Sequence, residues 1–457
     1  MVIRKISSCI LASVFLFSGI AISFSSCSDE KENPEPNDGE KEIVNVNAGT
    51  PQRTYSLDWE ITNPDRQDSV LTDLAGGQFR SECDQIIFEY NSVGPDLKTP
   101  VRLTGSISMP RAVFNKEKDP RHLLIVTQWT HASRNERLTL NTKSELEFFL
   151  NSYQNTIAIS SDLYGWTLTA DKPQAYCCPE ITAVETLDCW DAAMEILDSL
   201  GYKNDSIQIS NVGYSSAGMQ AIGIQRFVDE NRPDINIALT AVGASPFDIN
   251  IVWQDYVNKN TTTFVCALPL IMVAYNETYN LGFSYDEIFT HPLCDSIQEW
   301  ILNKNYNTDG INERIGLGKP VDQILTPAAC DWTKGVGLTM FRKFQENSVC
   351  DSIATLWQPN KQTQFYVMHS PGDTYMTWEA SVQMAKFLKD RGAKVVTDFE
   401  DNGDHVFYAA YVFLLKACAV MEDCSNLEDS QRTIDYIQGM IEDVKQNPQA
   451  YSGFFNK

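Results

Sequence analysis

The feature that most limits the fold is a rhythm: from about Tyr55 onward, short apolar runs of strand length alternate with longer stretches of helical period. The runs at 123–127, 156–160, 207–214 and 237–242 are apolar and bounded by turn residues. A strand that is apolar on both faces must be covered on both, as parallel strands joined by crossover helices are. Residues 86–90 and 101–109 differ, because 103–109 alternates in polarity and Gly94-Pro95 breaks the chain between the two runs, which predicts an antiparallel pair. The stretch 181–200 carries Ala183, Val184, Leu187, Trp190, Ala193, Ile196 and Leu197 at helical spacing and closes on Gly201. The expected fold class is α/β, with a doubly wound, mostly parallel sheet. After Pro246 the rhythm stops over about 247–357, which is mostly helical. It resumes with a strand at 364–368, a helix at 378–391, a strand at 394–399 and a helix from near His405. An interruption followed by the same alternation predicts a helical cap inserted into a single domain spanning 53–457.

The first 26 residues have a basic start at Arg4 and Lys5, an apolar run from Ile10 to Phe24, and then small residues. This is the pattern of a secretory signal, too short for a comfortable membrane span. Ser23-Phe24-Ser25-Ser26-Cys27 resembles a bacterial lipobox, in which the cysteine is diacylated and becomes the mature N-terminus. The following Ser28-Asp29-Glu30-Lys31-Glu32 is similar to the acidic export tag of surface lipoproteins in the Bacteroides group. These resemblances imply an outer-membrane, cell-surface lipoprotein held to the membrane through its lipid alone. A plain signal peptide cut near the same place is the alternative. Residues 27–52, rich in acids with Pro34, Pro36 and Gly39, read as a disordered tether.

A net charge of -24 repels phosphate backbones, so no nucleic-acid partner is expected. Of 12 cysteines, Cys9 leaves with the signal and Cys27 carries lipid; the other ten would meet an oxidising compartment, where some disulfides are expected. There is no C-x-x-C, and the 5 histidines are scattered, so no metal and no cofactor are expected. The chain is expected to act as a monomer.

The chemistry-bearing residues lie on three turns. The strand ending near Val212 runs into Gly213-Tyr214-Ser215-Ser216-Ala217-Gly218 and then a helix. A serine exposed on so sharp a turn needs small neighbours two residues away on each side, which Gly213 and Ala217 supply. The helix start beneath it would present the Ser216 amide to a developing oxyanion. The strand 364–368 leads to Asp373, and the strand 394–399 leads to His405. All three groups therefore fall along one edge of the sheet, in the chain order Ser, Asp, His. A serine hydroxyl is a poor nucleophile until a base takes its proton, and His405 would need an acid to fix its tautomer. Asp401 and Asp404 compete with Asp373 for that role. His369 reads as a core histidine, and His131 either as a loop residue or as part of a pocket. The apolar stripe Phe264, Val265, Ala267, Leu268, Leu270, Ile271, Met272 and Ala274 reads as packing before it reads as an acyl site.

From about residue 85 to 420 the chain resembles the α/β-hydrolase superfamily, and particularly its secretory lipases and esterases. The elbow GYSSAG is similar to that branch's GYSQGG, with Ala217 in place of a glycine. Ser161-Asp162-Leu163-Tyr164-Gly165-Trp166 resembles the family's PDY-x-G-x-G turn. Gln128-Trp129-Thr130-His131 falls where the family has a His-Gly turn and departs from it, so either Trp129 or Thr130 supplies the second oxyanion amide. The resemblance implies an α/β-hydrolase sheet with a helical cap, and a Ser215-Asp373-His405 triad that cleaves carboxylic esters through an acyl-enzyme on Ser215. It also implies an oxyanion hole at Ser216 with Trp129 or Thr130, and substrate contacts from His131, Tyr164 and Tyr214. A serine peptidase of the same fold and an inactive surface-binding lipoprotein are the alternatives. The substrate ester is open among acyl lipids, acylated glycans and small esters.

Overall fold

The computed structural model describes residues 44–45, 55–57, 83–136, 155–202, 207–351, 353, 355–406, 408–422 and 426–446. The expected signal segment and Cys27 lie outside the described residues. The strands in chain order are β1 (Val44–Asn45), β2 (Tyr55–Leu57), β3 (Cys83–Val93), β4 (Pro100–Pro110), β5 (His122–Val126), β6 (Thr156–Ser161), β7 (Gln208–Tyr214), β8 (Ile237–Gly243), β9 (Gln364–Met368) and β10 (Lys394–Asp398). They form one sheet of order β1-β3-β4-β6-β5-β7-β8-β9-β10, with β2 beside β3. β3 and β4 pair antiparallel along their length, and β6, β5, β7, β8, β9 and β10 run parallel. Within the span read as a tether, Val44–Asn45 pairs with Phe88–Glu89, so that span is not wholly outside the sheet.

The two-residue period explains why the central strands read as continuous apolar runs. Leu123 and Ile125 of β5 join the core on one face with Ile86, Ile107, Leu187 and Ile196. Leu124 and Val126 join the core on the other face with Val212, Tyr366, Met368 and Phe413. Every residue of β5, β6 and β9 is buried, as strands covered on both sides must be. On the first face lies α1 (Pro179–Ser199), begun by a proline whose missing N–H costs the first turn nothing. Beside it is α2 (Ser216–Asn231), which starts on the turn after β7.

Between β8 and β9, which are direct neighbours in the sheet, the chain forms α3 (Ile249–Lys259), α4 (Ala267–Thr278), α5 (Thr308–Ile315) and α6 (Gly335–Asn347). These helices share a core with the sheet body: Val265, Tyr275 and Phe344 cluster with Met219, Ile222, Phe365 and Val367. Polar contacts tie the insertion down as well. The Tyr275 hydroxyl donates to the Cys177 carbonyl at 2.8 Å, and buried Lys304 donates to the Lys172 carbonyl at 2.6 Å. The fold closes with α7 (Glu379–Asp390), then α8 (Tyr408–Glu422) and α9 (Leu427–Gln446), the last two on the second face. Among the described residues, no helix is long and apolar enough to cross a membrane.

The disulfide expectation is not met among the described side chains. Cys177, Cys178, Cys189, Cys266, Cys294, Cys330, Cys350 and Cys418 are free thiols, all but Cys330 buried. Burial pushes the Cys177 and Cys189 thiols up, so they stay protonated and pack as small apolar groups of the core.

Candidate active site

Ser215 stands between the end of β7 and the first turn of α2 with φ 57°, a backbone region that L-residues rarely enter and that costs about 1–3 kcal/mol. Three contacts hold the turn there. The Ser215 amide donates to the Gly243 carbonyl at 2.9 Å, the Gly218 amide donates to the Ser215 carbonyl at 3.0 Å, and the Met219 amide donates to Ser245 Oγ at 2.6 Å. Ser216 occupies the first helical position, where the amide has no acceptor within the helix.

The turns after β9 and β10 bring the expected acid and base to this serine. His405 Nε2 lies 2.8 Å from Ser215 Oγ, and His405 Nδ1 lies 2.6 Å from Asp373 Oδ2. The other oxygen of Asp373 accepts the Tyr375 and Met376 amides at 2.8 and 3.0 Å, which fixes the carboxylate plane. Burial alone would raise the Asp373 carboxyl; the imidazoles of His405 and His369 more than offset it and hold the group below the usual carboxylate range. Of the three candidate acids Asp373 is the one whose carboxylate meets His405, while Asp401 is turned onto Ser370 Oγ and the Gly403 amide. The arrangement is a hydroxyl with a base in reach of its proton and a carboxylate behind that base.

Neighbouring groups lock the two turns together. Ser370 Oγ donates to the Gly403 carbonyl at 2.7 Å and accepts the Asn402 amide at 2.9 Å, joining the acid turn to the base turn. A Cβ on Gly372 would come within 2.7 Å of the Asp401 carboxylate and 3.1 Å of the Gly403 carbonyl, so a larger residue there would displace the Asp401 side chain where the turns meet. The His405 ring lies between Tyr214, at 5.2 Å, and Tyr375, at 5.1 Å and nearly parallel. The insertion reaches this stack: Phe264 lies flat on Tyr375 at 4.8 Å, the Tyr256 hydroxyl donates to the Tyr375 carbonyl, and Thr263 donates to the Thr374 carbonyl at 2.6 Å.

The remaining expected site residues divide. Thr130 Oγ1 lies 2.7 Å from the Tyr176 hydroxyl and 3.1 Å from Ser216 Oγ, which puts the 128–131 loop against the nucleophile turn. Trp129, His131 and Tyr164 line a cavity of about 20 Å³ of mixed polarity, with Gln128 and Glu185 on one hand and Leu163 and Trp166 on the other, a volume suited to a water or two. Tyr214 departs from the expectation of a substrate contact. It is buried, its hydroxyl donates to the His405 carbonyl at 2.8 Å, and its ring packs on Phe413, so it supports the base. The sequence reading also missed Ser370, Tyr375, Tyr256 and the second imidazole on Asp373; of these, only His369 carried a signal, its place four residues before the acid on the same turn. Among the described residues one group of potential ligand atoms occurs on the insertion, where His291, Cys294 and Asp295 bring three within 4.8 Å of one another.

No family model matches the sequence, and no curated protein is similar to it. Solved structures do match. A Legionella pneumophila protein superposes with a TM-score of 0.64 at 17% identity, over 79% of this chain and 89% of that one. The rice cell wall degrading esterase LipA of Xanthomonas oryzae gives 0.63 at 17% identity, over 79% and 95%. Candida antarctica lipase A gives 0.54 at 11% identity, over 72% and 74%. With its mostly parallel sheet, flanking helices and nucleophile-type turn after β7, the chain has the α/β-hydrolase fold that these structures share.

Proposed function

We propose that the protein is a carboxylic ester hydrolase of esterase or lipase type, working through an acyl-enzyme on Ser215. The observation that carries this reading is the continuous series of short contacts from Asp373 through His405 to Ser215. His405 Nε2 takes the hydroxyl proton as Oγ attacks the ester carbonyl carbon. The resulting oxyanion is met by the Ser216 amide and by an amide of the Trp129-Thr130 loop. The imidazolium then returns its proton to the departing alkoxide, and water repeats the sequence on the acyl-enzyme. Asp373 keeps the proton of neutral His405 on Nδ1, so that Nε2 faces the serine as an acceptor. Esters are preferred to amides in this reading because two of the structures that share the fold are named an esterase and a lipase. Nitrophenyl esters of graded acyl length, run beside peptide amides and with fluorophosphonate labelling, test the proposal. Ester turnover with labelling of Ser215 is expected. Faster amide turnover would favour the peptidase alternative, and neither turnover nor labelling would favour a binding protein.

The proposal extends to location: Cys27, acylated, anchors the protein to the outer membrane. Cys27→Ser should move it from the membrane to the soluble fraction, and continued tight membrane association would point to another anchor.

A further inference from the structure

The acid of the proposed triad has two imidazoles on one oxygen. Asp373 Oδ2 lies 2.6 Å from His405 Nδ1 and 3.2 Å from His369 Nε2. His369 is fully buried at the carboxyl end of β9, and its backbone amide is tied to the Asp398 carbonyl at 2.9 Å. Its other ring nitrogen, Nδ1, lies 2.7 Å from Ser381 Oγ, itself fully buried on α7. The series Ser381, His369, Asp373, His405, Ser215 therefore crosses from the back of the sheet edge to the nucleophile.

Proton inventory fixes the roles. A carboxylate only accepts, a hydroxyl can donate or accept, and neutral imidazole has one donor and one acceptor. An unprotonated Nε2 would point its lone pair at the Asp373 carboxylate in a buried site, so the proton belongs on Nε2 and Ser381 donates to Nδ1. The Nε2–H runs oblique to Oδ2 rather than along the line of an aligned hydrogen bond, so the contact is mainly electrostatic. We infer that His369 is a positioning residue for the catalytic acid: its Nε2–H shares the Asp373 oxygen that binds His405, and Ser381 holds its tautomer. The inference rests on the triad reading above.

An oxygen that divides its charge between two donors is a weaker base toward either one. With the second donor gone, Asp373 draws harder on the His405 proton, the protonated base is favoured, and the acid limb of activity moves to higher pH. The carboxylate also loses one restraint on its rotation. Other ionisable groups near this carboxylate include the phenols of Tyr214, Tyr256 and Tyr375, all pushed up by burial and neutral near neutral pH, and Asp401 and Asp404 on the base turn.

The test uses the full chain, with His369→Leu and His369→Gln beside the wild type. Gln can place an amide donor near the position of Nε2, whereas Leu keeps bulk and removes the donor. In His369→Leu, kcat should fall about ten- to a hundredfold, as loss of supporting partners does elsewhere, and the acid limb of kcat/KM should rise by about half to one pH unit. His369→Gln should restore the limb and most of kcat. Nitrogen-15 NMR of the wild type should show His369 protonated at Nε2 and bare at Nδ1, a readout that stands even if the Leu variant does not fold. A His369→Leu enzyme with lower Tm but an unmoved acid limb, or a wild type protonated at Nδ1 of His369, would overturn the inference. A wild type that neither hydrolyses esters nor labels at Ser215 would overturn the parent reading instead.

Discussion

A Cβ placed on Gly213 would stand 2.2 Å from the carbonyl oxygen of Ala217. The strand end and the first helical turn meet at that point, two residues before and after Ser215 with its positive φ. The obstacle is backbone, which cannot move aside without opening the turn. Gly213→Ala should therefore destabilise the protein by about 1–3 kcal/mol, as overpacking does. It should also lower kcat/KM by about a hundredfold, the cost of misplacing a reacting group by an ångström. Urea unfolding and ester kinetics on one preparation check both; an Ala variant with wild-type kinetics would show that the turn is not set by this contact.

Ser215 and His405 are joined by a single contact of 2.8 Å, so in the proposed reaction neither serves without the other. Ser215→Ala and His405→Ala should each lower kcat by about 10⁴-fold or more, and the double variant should be no worse than either single one. Additive losses would mean that the two act separately. Asp373→Asn should be the milder lesion, because it leaves nucleophile and base in place.

The depressed Asp373 carboxyl makes a stability prediction with a definite sign. A carboxyl that is more acidic in the folded than in the unfolded state contributes stability above its unfolded value of about 3.9, and loses that contribution as pH falls through the folded value. Protonated Asp and Asn are similar in shape and both neutral. The stability difference between wild type and Asp373→Asn should thus be full at pH 6 and shrink steadily below about pH 4. Equilibrium unfolding at several pH values measures it. A difference independent of pH would mean that Asp373 enters folding uncharged.

The sheet was legible because its central strands are covered on both sides: β5 and β9 are buried throughout, and after His122 and Gln364 each is an unbroken apolar run. β1 was not, since the two residues Val44–Asn45 are too few to show any period. Ser215, Asp373 and His405 were legible because each follows a recognisable strand at the same edge. Tyr214 misled because it neighbours Ser215 in sequence, whereas its ring packs against His405 and Phe413. His369 was read as a core histidine, and it is buried; that its ring also meets Asp373 depends on how the turn after β9 coils, which no periodicity records. The cysteines misled for a related reason. Compartment argued for disulfides, but most of those described fill the core as single thiols.

The insertion makes the last prediction, because its buried aromatic residues stack on different partners. Trp253 packs on Phe344 at 5.6 Å, and Tyr275 meets Phe344 at 4.9 Å while its hydroxyl holds the Cys177 carbonyl; both lie in the core shared with the sheet. Trp253→Ala and Tyr275→Ala should each cost about 3–5 kcal/mol in stability, as truncation of a buried aromatic residue does, and leave the acyl-length profile unchanged. Phe264 belongs to the same core and in addition lies on Tyr375, which lies on His405. Its removal loosens one side of the base rather than a substrate pocket. Phe264→Ala should therefore lower kcat several-fold by an equal factor for short and long acyl chains, because an interaction lost at the base is common to every substrate. The measurement is kcat/KM across the nitrophenyl ester series together with Tm for all three variants. A Phe264→Ala enzyme that lost only long-chain or only short-chain esters would make that ring part of the acyl site, and a shifted profile in Trp253→Ala would make α3 a wall of the pocket.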